Sequence, residues 1–250
     1  MDLKQYFAEF PQVAVAFSGG VDSAYLLYAA SKYAKRVKAY YVKTAFQPQF
    51  ELDDARRIAS QLNVEMQVLD VDILCLPTIS ENPADRCYHC KKELFSHILN
   101  AAAADGFPVL LDGTNASDEA SDRPGMQALK ELSIGSPLRA CGLTKEMIRS
   151  LSKRAGLFTH DKPAYACLAT RIPTGETITK DKLLRTEWAE GYLAALGFRD
   201  FRIRSMGDMA KIQIRAVDLS LIVSYHQQIL LDLKKYYASV VLDMEVRNEQ

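Results

Sequence analysis

The sequence lacks the long apolar segments that are typical of membrane-spanning or secreted proteins. Its 250 residues contain no run approaching the roughly 18 apolar residues that a membrane span needs. The opening residues, MDLKQYFAEF, include acidic side chains and lack the apolar stretch of a secretory signal. Net charge is also absent, because 31 basic residues balance 31 acidic ones, which disfavours an extended nucleic-acid surface. We therefore expect a cytoplasmic protein without membrane or nucleic-acid partners.

Cysteine is scarce, and its count of five is odd. In the cytoplasm an odd count indicates thiols, metal ligands or a catalytic residue before it indicates disulfides. Cys87 and Cys90 stand in NPADRCYHCKKELF, just before a predicted helix, and such a pair can chelate a metal or act as a redox couple. His89 could complete a zinc site with them. Cys75 and Cys141 have apolar neighbours, which predicts core thiols.

Strand and helix patterns alternate through the first part of the chain. Continuous apolar runs predict buried strands at 13–17, 37–42, 65–71 and 109–112. Helical patterns at 23–35, 52–62, 91–104 and 144–155 separate or follow them. Strands joined by helices predict a parallel sheet, and therefore an α/β fold of the Rossmann-like type. After the loop-like stretch 161–177, helices and alternating strands predict a smaller α+β domain.

The segment SGGVDS, at 18–23, ends the first predicted strand and opens the first helix. Ligands of open parallel sheets bind beyond the carboxyl ends of the strands. Glycines let backbone N–H groups approach an anion, and the helix start adds partial positive charge. Ser18 and Ser23 can donate to phosphate oxygens, whereas Asp22 can hold Mg²⁺ beside a phosphate. The pattern fits neither GxGxxG nor the Walker loop, and a tight turn is the alternative interpretation.

A third cysteine, Cys167, lies in the polar segment DKPAYACLATRIPTGET. Three thiolates within reach of one another suit an iron–sulfur cluster in which one iron has no protein ligand. A structural zinc site built on Cys87 and Cys90 is the alternative.

These segments together resemble a known family. SGGVDS resembles the pyrophosphate loop of the ATP pyrophosphatase (PP-loop) superfamily, and LDGTNASD, at 111–118, resembles a second stretch of it. With NPADRCYHCKKELF, GLTKEMIRSLSKRAGL and KPAYACLATRIPTGETIT, the chain over 13–180 resembles the LarE-type ATP-dependent sacrificial sulfur transferases, and RIRSMGDMAKIQI, at 202–214, extends the match. The resemblance implies a PP-loop domain of the adenine nucleotide alpha hydrolase type over 1–165. It also implies a substrate-binding and oligomerisation domain over 166–250.

The resemblance further implies ATP and Mg²⁺ as cofactors. The implied nucleotide-binding residues are Ser18, Gly19, Gly20, Val21, Asp22, Ser23, Gly113 and Thr114, with Asp22 as metal ligand. Asp118 could assist with metal or a polar network. The implied reaction adenylylates a carboxylate of pyridinium-3,5-biscarboxylic acid mononucleotide and replaces AMP with sulfur. Its thiocarboxylate product leads to nickel-pincer nucleotide, the cofactor of lactate racemase.

Two sulfur chemistries occur in the family. In one, a single cysteine at the position of Cys167 gives up its own sulfur and becomes dehydroalanine. In the other, three cysteines hold a [4Fe–4S] cluster that carries an extra sulfide. Cys87, Cys90 and Cys167 match the three-cysteine form, so we favour the cluster route and leave the sulfide donor open. Direct sacrifice of Cys167 remains the alternative.

Several charged residues are candidates for handling the substrate. Arg202 and Arg204 alternate along a predicted strand, so both face one side, and guanidinium forks suit phosphate or carboxylate. The family places substrate-handling arginines in such a stretch, although solvated strand arginines are the alternative. Gln213 stands where we expect an acid. Arg171 and Lys162 could stabilise a thiolate or AMP, or could be surface charges.

Other functions fit parts of this pattern. Some PP-loop relatives thiolate tRNA, but the neutral charge and the lack of a basic domain disfavour that function. Amide synthesis would need free ammonia. A regulatory or electron-transfer protein could share the fold. We predict a small-molecule nucleotide substrate and a homo-oligomer.

Overall fold

The computed structural model of the chain describes residues 1–118 and 124–247. In chain order, its main elements are α1 (Leu3–Glu9), β1 (Gln12–Ala16), α2 (Val21–Tyr33), β2 (Arg36–Lys43), α3 (Gln49–Gln61), β3 (Met66–Asp70), α4 (Pro77–Ser80), α5 (Arg86–Ala104), β4 (Leu110–Leu111), α6 (Pro124–Glu131), α7 (Pro137–Ala140), α8 (Lys145–Arg154), α9 (Lys180–Ala195), β5 (Arg202–Met206), β6 (Met209–Gln213), α10 (Leu219–Leu233) and β7 (Ser239–Leu242). Short 3-10 helices cover Ile73–Cys75, Phe158–Asp161, Leu168–Arg171 and Ala216–Asp218.

The chain forms two compact units. The first comprises Met1–Ile73 and Asp85–Lys162, and the second comprises Leu74–Ala84 and Pro163–Gln250. The predicted domains, divided after residue 165, differ from these units chiefly in the place of 74–84, and the domain division itself stays a prediction. Within the described residues, no helix is long and apolar enough to cross a membrane.

The first unit is built on a four-stranded sheet in the order β3-β2-β1-β4, in which every neighbouring pair is parallel. Val13, Ala14 and Val15 of β1 are completely buried. Val13 and Val15 pack in one apolar cluster and Ala14 packs in another, so both faces of the strand are covered. An apolar run without alternation is what such a strand requires. The predicted α/β fold with a Rossmann-like parallel sheet is confirmed.

The strand order places β1 between β2 and β4. The connection after β1 therefore leaves the sheet where the order of the strands reverses, and ligands of open α/β sheets bind at such a point. The loop between Ala16 and Val21 lies at this edge.

Helix α5 begins earlier than the sequence pattern indicates. The prediction placed a helix over 91–104 with the cysteine pair before it, whereas α5 runs from Arg86 to Ala104. Cys87 and Cys90 therefore lie inside the helix. Because the segment RCYHCKKE is polar, it shows no apolar periodicity that could have extended the prediction.

The second unit contains a three-stranded sheet in the order β5-β6-β7, with β5 and β6 antiparallel and β6 and β7 parallel. Helices α9 and α10 bury one face of it, because Leu193 and Leu233 pack in one apolar cluster with Ile203 and Ile212.

The short segment 74–84 is hydrogen-bonded within the second unit. The Ile178 N–H donates to the Ser80 carbonyl at 2.7 Å, and the Gly175 N–H donates to the Asn82 carbonyl at 2.8 Å. Asn82 is completely buried, and its side-chain amide donates to the carbonyls of Ile172 and Pro173 at 3.2 and 2.7 Å. Asn82 also has a φ of 58°, a conformation that asparagine tolerates better than most residues.

Candidate active site

The loop that joins β1 to α2 is shaped by two glycines. Gly19 has a φ of +74°, and a Cβ there would lie 3.1 Å from the Glu51 carbonyl oxygen and 3.2 Å from the Ala55 Cβ. A side chain at this position would therefore be strained and crowded. Gly20 is the N-cap of α2, and in the described structure it provides no side-chain cap. The first N–H groups of α2, which begins at Val21, are thus available to an anion.

Two serines brace this loop. The hydroxyls of Ser18 and Ser23 are 3.1 Å apart, and the Ser18 N–H donates to the Ser23 Oγ at 3.3 Å. The Ser23 hydroxyl also lies 3.2 Å from the Gly20 carbonyl, to which it can donate. A Cβ at Gly113 would lie 2.9 Å from the Ser23 backbone nitrogen, so glycine lets the loop after β4 pass close to the start of α2.

Asp22 faces a lysine across the loop. Its Oδ2 accepts a hydrogen bond from Lys145 Nζ at 2.5 Å, while its buried Oδ1 has no hydrogen-bond partner in the described residues. Burial raises the pKa of Asp22 above its usual value, against the hydrogen bond from Lys145, which lowers it. Carboxylate oxygens are the ligands that Mg²⁺ prefers. The unpartnered Oδ1 therefore fits a magnesium site beside the glycine loop.

Asp112 organises the loop after β4. Its carboxylate accepts hydrogen bonds from the hydroxyl of Thr114 and, at 2.6 Å, from the hydroxyl of Ser136. Farther along, the Asn115 N–H donates to the Asp118 carboxylate at 3.0 Å. The Thr114 hydroxyl is therefore used to fix the loop, and the predicted role of Thr114 in holding a nucleotide stays a prediction.

A cavity of about 320 Å³ joins the two loops. Its polar lining comprises Ser18, Gly20, Asp22, Ser23, Gln47, Lys91, Asp112, Gly113, Thr114 and Asp118. Its other lining residues are Ala16, Phe17, Tyr40, Tyr41, Val42, Leu94, Phe95 and Ile98. One cavity thus offers an anion-binding loop and carboxylates together with an aromatic and aliphatic wall, which suits a nucleotide.

The paired cysteines lie at the start of α5. Cys87 and Cys90 are three residues apart on a helix and so share a face, and Arg86 Nη2 lies 3.6 Å from the Cys87 sulfur. His89 Nε2 is 3.1 Å from the Asp85 carboxylate one turn earlier, and the zinc role of His89 stays a prediction. Over residues 1–118 and 124–247, no group of three or more His, Cys, Asp and Glu side chains is arranged to hold a metal ion.

Cys167 belongs to the second unit, where it is half-buried and precedes the 3-10 helix Leu168–Arg171. Three arginines hold the backbone on either side of it. The Arg202 guanidinium donates a hydrogen bond to the Ala164 carbonyl at 2.6 Å. Arg171 donates to the Ala166 carbonyl at 3.0 Å. Arg204 donates to the Thr170 carbonyl at 2.5 Å. The conformation of the Cys167 segment is therefore fixed by Arg171 nearby in the sequence and by Arg202 and Arg204 more than 30 positions away.

Arg171 is buried and paired with Glu190. Arg171 Nε and Nη2 donate to the two carboxylate oxygens at 2.7 and 3.1 Å. Glu190 also accepts from the Tyr165 hydroxyl at 2.7 Å and the Ile203 N–H at 3.0 Å. Arg171 has 1 % of its surface exposed, so the alternative of a surface charge is wrong for this residue.

Arg202 and Arg204 are also not solvated strand residues. Arg202 is buried. Its pKa is lowered to about 10, mainly by burial and to a smaller extent by repulsion from Arg171. The same two causes lower the pKa of the half-buried Arg204. Arg204 donates to Gln213 Oε1 at 2.8 Å, and Gln213 in turn donates to Asp243 at 2.7 Å. An acid, Asp243, therefore lies one hydrogen bond away from Gln213.

Two other expectations differ from the structure. Lys162 forms an ion pair with Asp54 of α3 at 2.6 Å, within the first unit. Cys75 is exposed and not a core thiol, because it ends a short 3-10 helix of which only Ile73 is buried. Cys141 is half-buried and packs against the core of the first unit.

Sequence reasoning gave no role to Lys145, Asp112 or Lys91, although each lies within a segment that resembles the family. Lys145 lies 123 positions from Asp22 along the chain, so no local pattern could have paired them. Asp112 directly follows an apolar strand. Because ligands bind beyond the carboxyl ends of parallel strands, that position indicates a residue of the site.

The chain is similar to several known proteins. The profile of the family described as queuosine biosynthesis protein QueC matches residues 12–83. An uncharacterized protein of Synechocystis is 37% identical over 216 residues, 85% of this chain and 80% of that protein. The pyridinium-3,5-bisthiocarboxylic acid mononucleotide synthase of Lactiplantibacillus plantarum is 33% identical over 208 residues, 82% and 75% of the two chains. A tRNA-specific 2-thiouridylase MnmA of Thermotoga petrophila is 29% identical over 196 residues, 60% and 54% of the two chains.

The parallel sheet, the glycine loop after its central strand and the match to the QueC profile define a PP-loop enzyme. Within that class, the identity and coverage of the Lactiplantibacillus relative show that the chain belongs to the LarE-type family of sulfur transferases. The family predicted from the sequence motifs is confirmed.

The Arg171–Glu190 pair gives a stability prediction. In Glu190→Gln, the buried guanidinium of Arg171 loses its counter-charge, and breaking a buried pair costs about 3–5 kcal/mol. We expect urea unfolding to show a loss of that size. Glu245→Gln in the same unit, where Glu245 is exposed, should change stability by no more than about 0.5 kcal/mol. An equal midpoint for the parent protein and Glu190→Gln would contradict the prediction.

Proposed function

We propose that the protein uses ATP and Mg²⁺ to adenylylate a carboxylate of pyridinium-3,5-biscarboxylic acid mononucleotide and then replaces AMP with sulfur. The Lactiplantibacillus relative is named as the synthase of the corresponding bisthiocarboxylic acid mononucleotide. The observation that carries the proposal is the glycine loop with the buried Asp22 Oδ1 beside it, an oxygen that has no hydrogen-bond partner among the described residues. That pairing of amide donors with a carboxylate suits a pyrophosphate and its magnesium ion.

In the first step, a carboxylate oxygen of the substrate forms a bond to the α-phosphorus of ATP. The bond from that phosphorus to the pyrophosphate oxygen breaks, and the electron pair leaves with pyrophosphate. The amides at the start of α2 would bind this leaving group, since Gly20, Asp22 and Ser23 at that start line the cavity. Asp22 would hold Mg²⁺, and Lys145, 2.5 Å from Asp22, would add positive charge nearby.

In the second step, sulfur attacks the acyl carbon and the carbon–oxygen bond to AMP breaks. Cys167 is the thiol we assign to this step. If its own sulfur is transferred, cleavage of its Cβ–S bond with loss of the α-proton leaves dehydroalanine. The donor set of Cys87, Cys90 and Cys167 also fits a [4Fe–4S] cluster chemically, because all three are thiols. Such a cluster would supply a sulfide that can be replenished.

Arg202 and Arg204 would orient the anionic substrate. Each donates to a backbone carbonyl near Cys167 and keeps further N–H groups in its fork. A guanidinium can therefore fix the cysteine segment and contact phosphate or carboxylate at the same time.

The reaction can be tested directly. The purified protein, ATP, Mg²⁺ and the biscarboxylic acid mononucleotide should release pyrophosphate and AMP and yield a product in which sulfur replaces one carboxylate oxygen. Pyrophosphate release should require the mononucleotide. If pyrophosphate release depends on the substrate but the mass spectrum shows no thiocarboxylate, the adenylylation step would stand and the sulfur-transfer step would be refuted.

The sulfur source can be decided by iron and acid-labile sulfide analysis of protein purified without oxygen. We expect about four irons per chain, as in a [4Fe–4S] cluster, with a visible absorption band. Alanine variants of Cys87, Cys90 and Cys167 should lose both iron and band, whereas Cys75→Ala should keep them. No iron after reconstitution would instead favour sacrifice of the Cys167 sulfur, seen as loss of H₂S by mass spectrometry.

Thiolation of tRNA is the second candidate, and the match to the tRNA-specific 2-thiouridylase favours it. The same assay with unmodified tRNA in place of the mononucleotide separates the two functions. Thiolated nucleoside after digestion would support the tRNA function.

A further inference from the structure

The cavity is short of positive charge. Of the described residues that line it, Asp22, Asp112 and Asp118 are acidic, and Lys91 is the one basic residue. A triphosphate entering such a cavity needs cations to offset its charge. Mg²⁺ at Asp22 would serve the pyrophosphate end, which leaves the remaining phosphate without a partner at that loop.

Lys91 enters the cavity from a different wall than the glycine loop. It lies on α5 at the same helical face as Leu94, Phe95 and Ile98, which form the apolar wall. In a nucleotide, the α-phosphate lies between the nucleoside, which suits that wall, and the pyrophosphate, which suits the loop. A cation on the α5 wall is thus placed for the α-phosphate. Lys91 also follows Cys90 directly in the sequence.

A glycine on the neighbouring helix accommodates the lysine stem. A Cβ at Gly125 of α6 would lie 2.7 Å from Lys91 Cδ and 3.0 Å from Cε. Gly125 lies in the first turn of α6 and has no side chain to meet Lys91. Glycine at position 125 leaves room for the Lys91 side chain. A methyl group there would displace the flexible Lys91 side chain and would not disturb the backbone.

Lys92 provides a natural comparison. It is adjacent in sequence, but its side chain is exposed and bonds the Tyr88 hydroxyl at 3.0 Å and Glu131 at 3.1 Å. It does not belong to the described cavity lining. Two neighbouring lysines thus have different surroundings, one in the cavity and one in a surface ion pair.

We propose that Lys91 binds the α-phosphate, the phosphate retained in AMP, and offsets its charge while the acceptor oxygen attacks and pyrophosphate departs. This inference rests on the proposed function. It assigns Lys91 to a group shared by ATP and AMP, whereas Lys145 and Asp22 serve the part that leaves.

Calorimetric titration with AMP and with Mg²⁺–ATP tests the assignment. Lys91→Met should weaken binding of both nucleotides by about 10-fold to 100-fold, the effect of a lost charged hydrogen bond. Lys145→Met should weaken ATP binding and leave AMP binding unchanged. Lys92→Met should bind both nucleotides as the parent protein does. Gly125→Ala, which keeps the Lys91 charge but moves its stem, should reduce AMP affinity less than Lys91→Met while unfolding at the same or a higher temperature.

Unchanged AMP affinity in Lys91→Met, with the parent protein binding AMP, would overturn the assignment and leave the proposed function standing. An equal loss in Lys92→Met would also overturn it, since a general charge effect would then explain the data. A parent protein that binds neither nucleotide would overturn the proposed function and this inference together.

Discussion

Cys167→Ala is expected to release pyrophosphate at close to the parent rate and to form no thiocarboxylate. The glycine-loop amides, Asp22 and Lys145, which we assign to pyrophosphate departure, belong to the first unit, whereas Cys167 lies in the second. Removing a nucleophile typically lowers a rate by 10³-fold or more, so product should fall below detection. The measurement pairs a pyrophosphate assay with mass spectrometry of the product.

Cys167→Ser and Cys75→Ala complete this experiment. Serine keeps the size of the side chain but has no sulfur to donate, so Cys167→Ser should behave as Cys167→Ala does. Cys75 is exposed and outside the assigned set, and Cys75→Ala should form product at the parent rate. Thiocarboxylate from either Cys167 variant would remove this residue from the mechanism.

Asp22→Asn should abolish adenylylation, with a loss of about 10²-fold or more in pyrophosphate release, because an amide cannot replace the carboxylate that holds Mg²⁺. Raising the Mg²⁺ concentration should not restore the rate. Asp53→Asn on α3, where Asp53 is largely exposed, should leave the rate unchanged. Retention of activity by a folded Asp22→Asn protein would refute the role assigned to Asp22.

The same substitution should stabilise the fold at neutral pH. Burial raises the pKa of Asp22, so the folded state binds a proton more readily than the unfolded state does. The protonated side chain therefore favours folding below the unfolded pKa, and this advantage disappears as pH rises through the folded pKa. At pH 7, Asp22→Asn should melt above the parent protein, by about 2–4 °C per kcal/mol. The difference should shrink as pH falls toward 4. A lower melting temperature at pH 7 would contradict this account.

Local sequence was sufficient for the features that one segment determines by itself. The apolar run before SGGVDS predicts a strand buried on both faces, and Val13, Ala14 and Val15 are completely buried. The glycines predict a loop after this strand, and Gly19 adopts a φ of +74°. The helix predicted over 144–155 forms as α8, and its N-cap Thr144 accepts a hydrogen bond from the Met147 N–H. Each of these depends on neighbours within a few positions.

The missed features depend on residues far apart in the chain. The ion pair of Asp22 with Lys145 and the hydrogen bond of Arg202 to Ala164 join segments that only the fold brings together. The alternation of Arg202 and Arg204 correctly placed both on one strand, but alternation carries no information about burial. The first turn of α5 was missed for another reason, since its polar residues give no periodic signal.

Segment 74–84 has a consequence for how the protein is made. Asn82 and its neighbours satisfy their hydrogen bonds with 172–178, yet the ribosome finishes them about 80 residues before it reaches Pro163. At about 5–20 residues per second, this segment waits several seconds for its partners. In the nascent chain, segment 74–84 therefore has no hydrogen-bond partners in 172–178 yet. The sheet of the first unit can assemble before that segment is ordered. Stalling translation near residue 165 should leave 74–84 open to protease, and completing the chain should protect it.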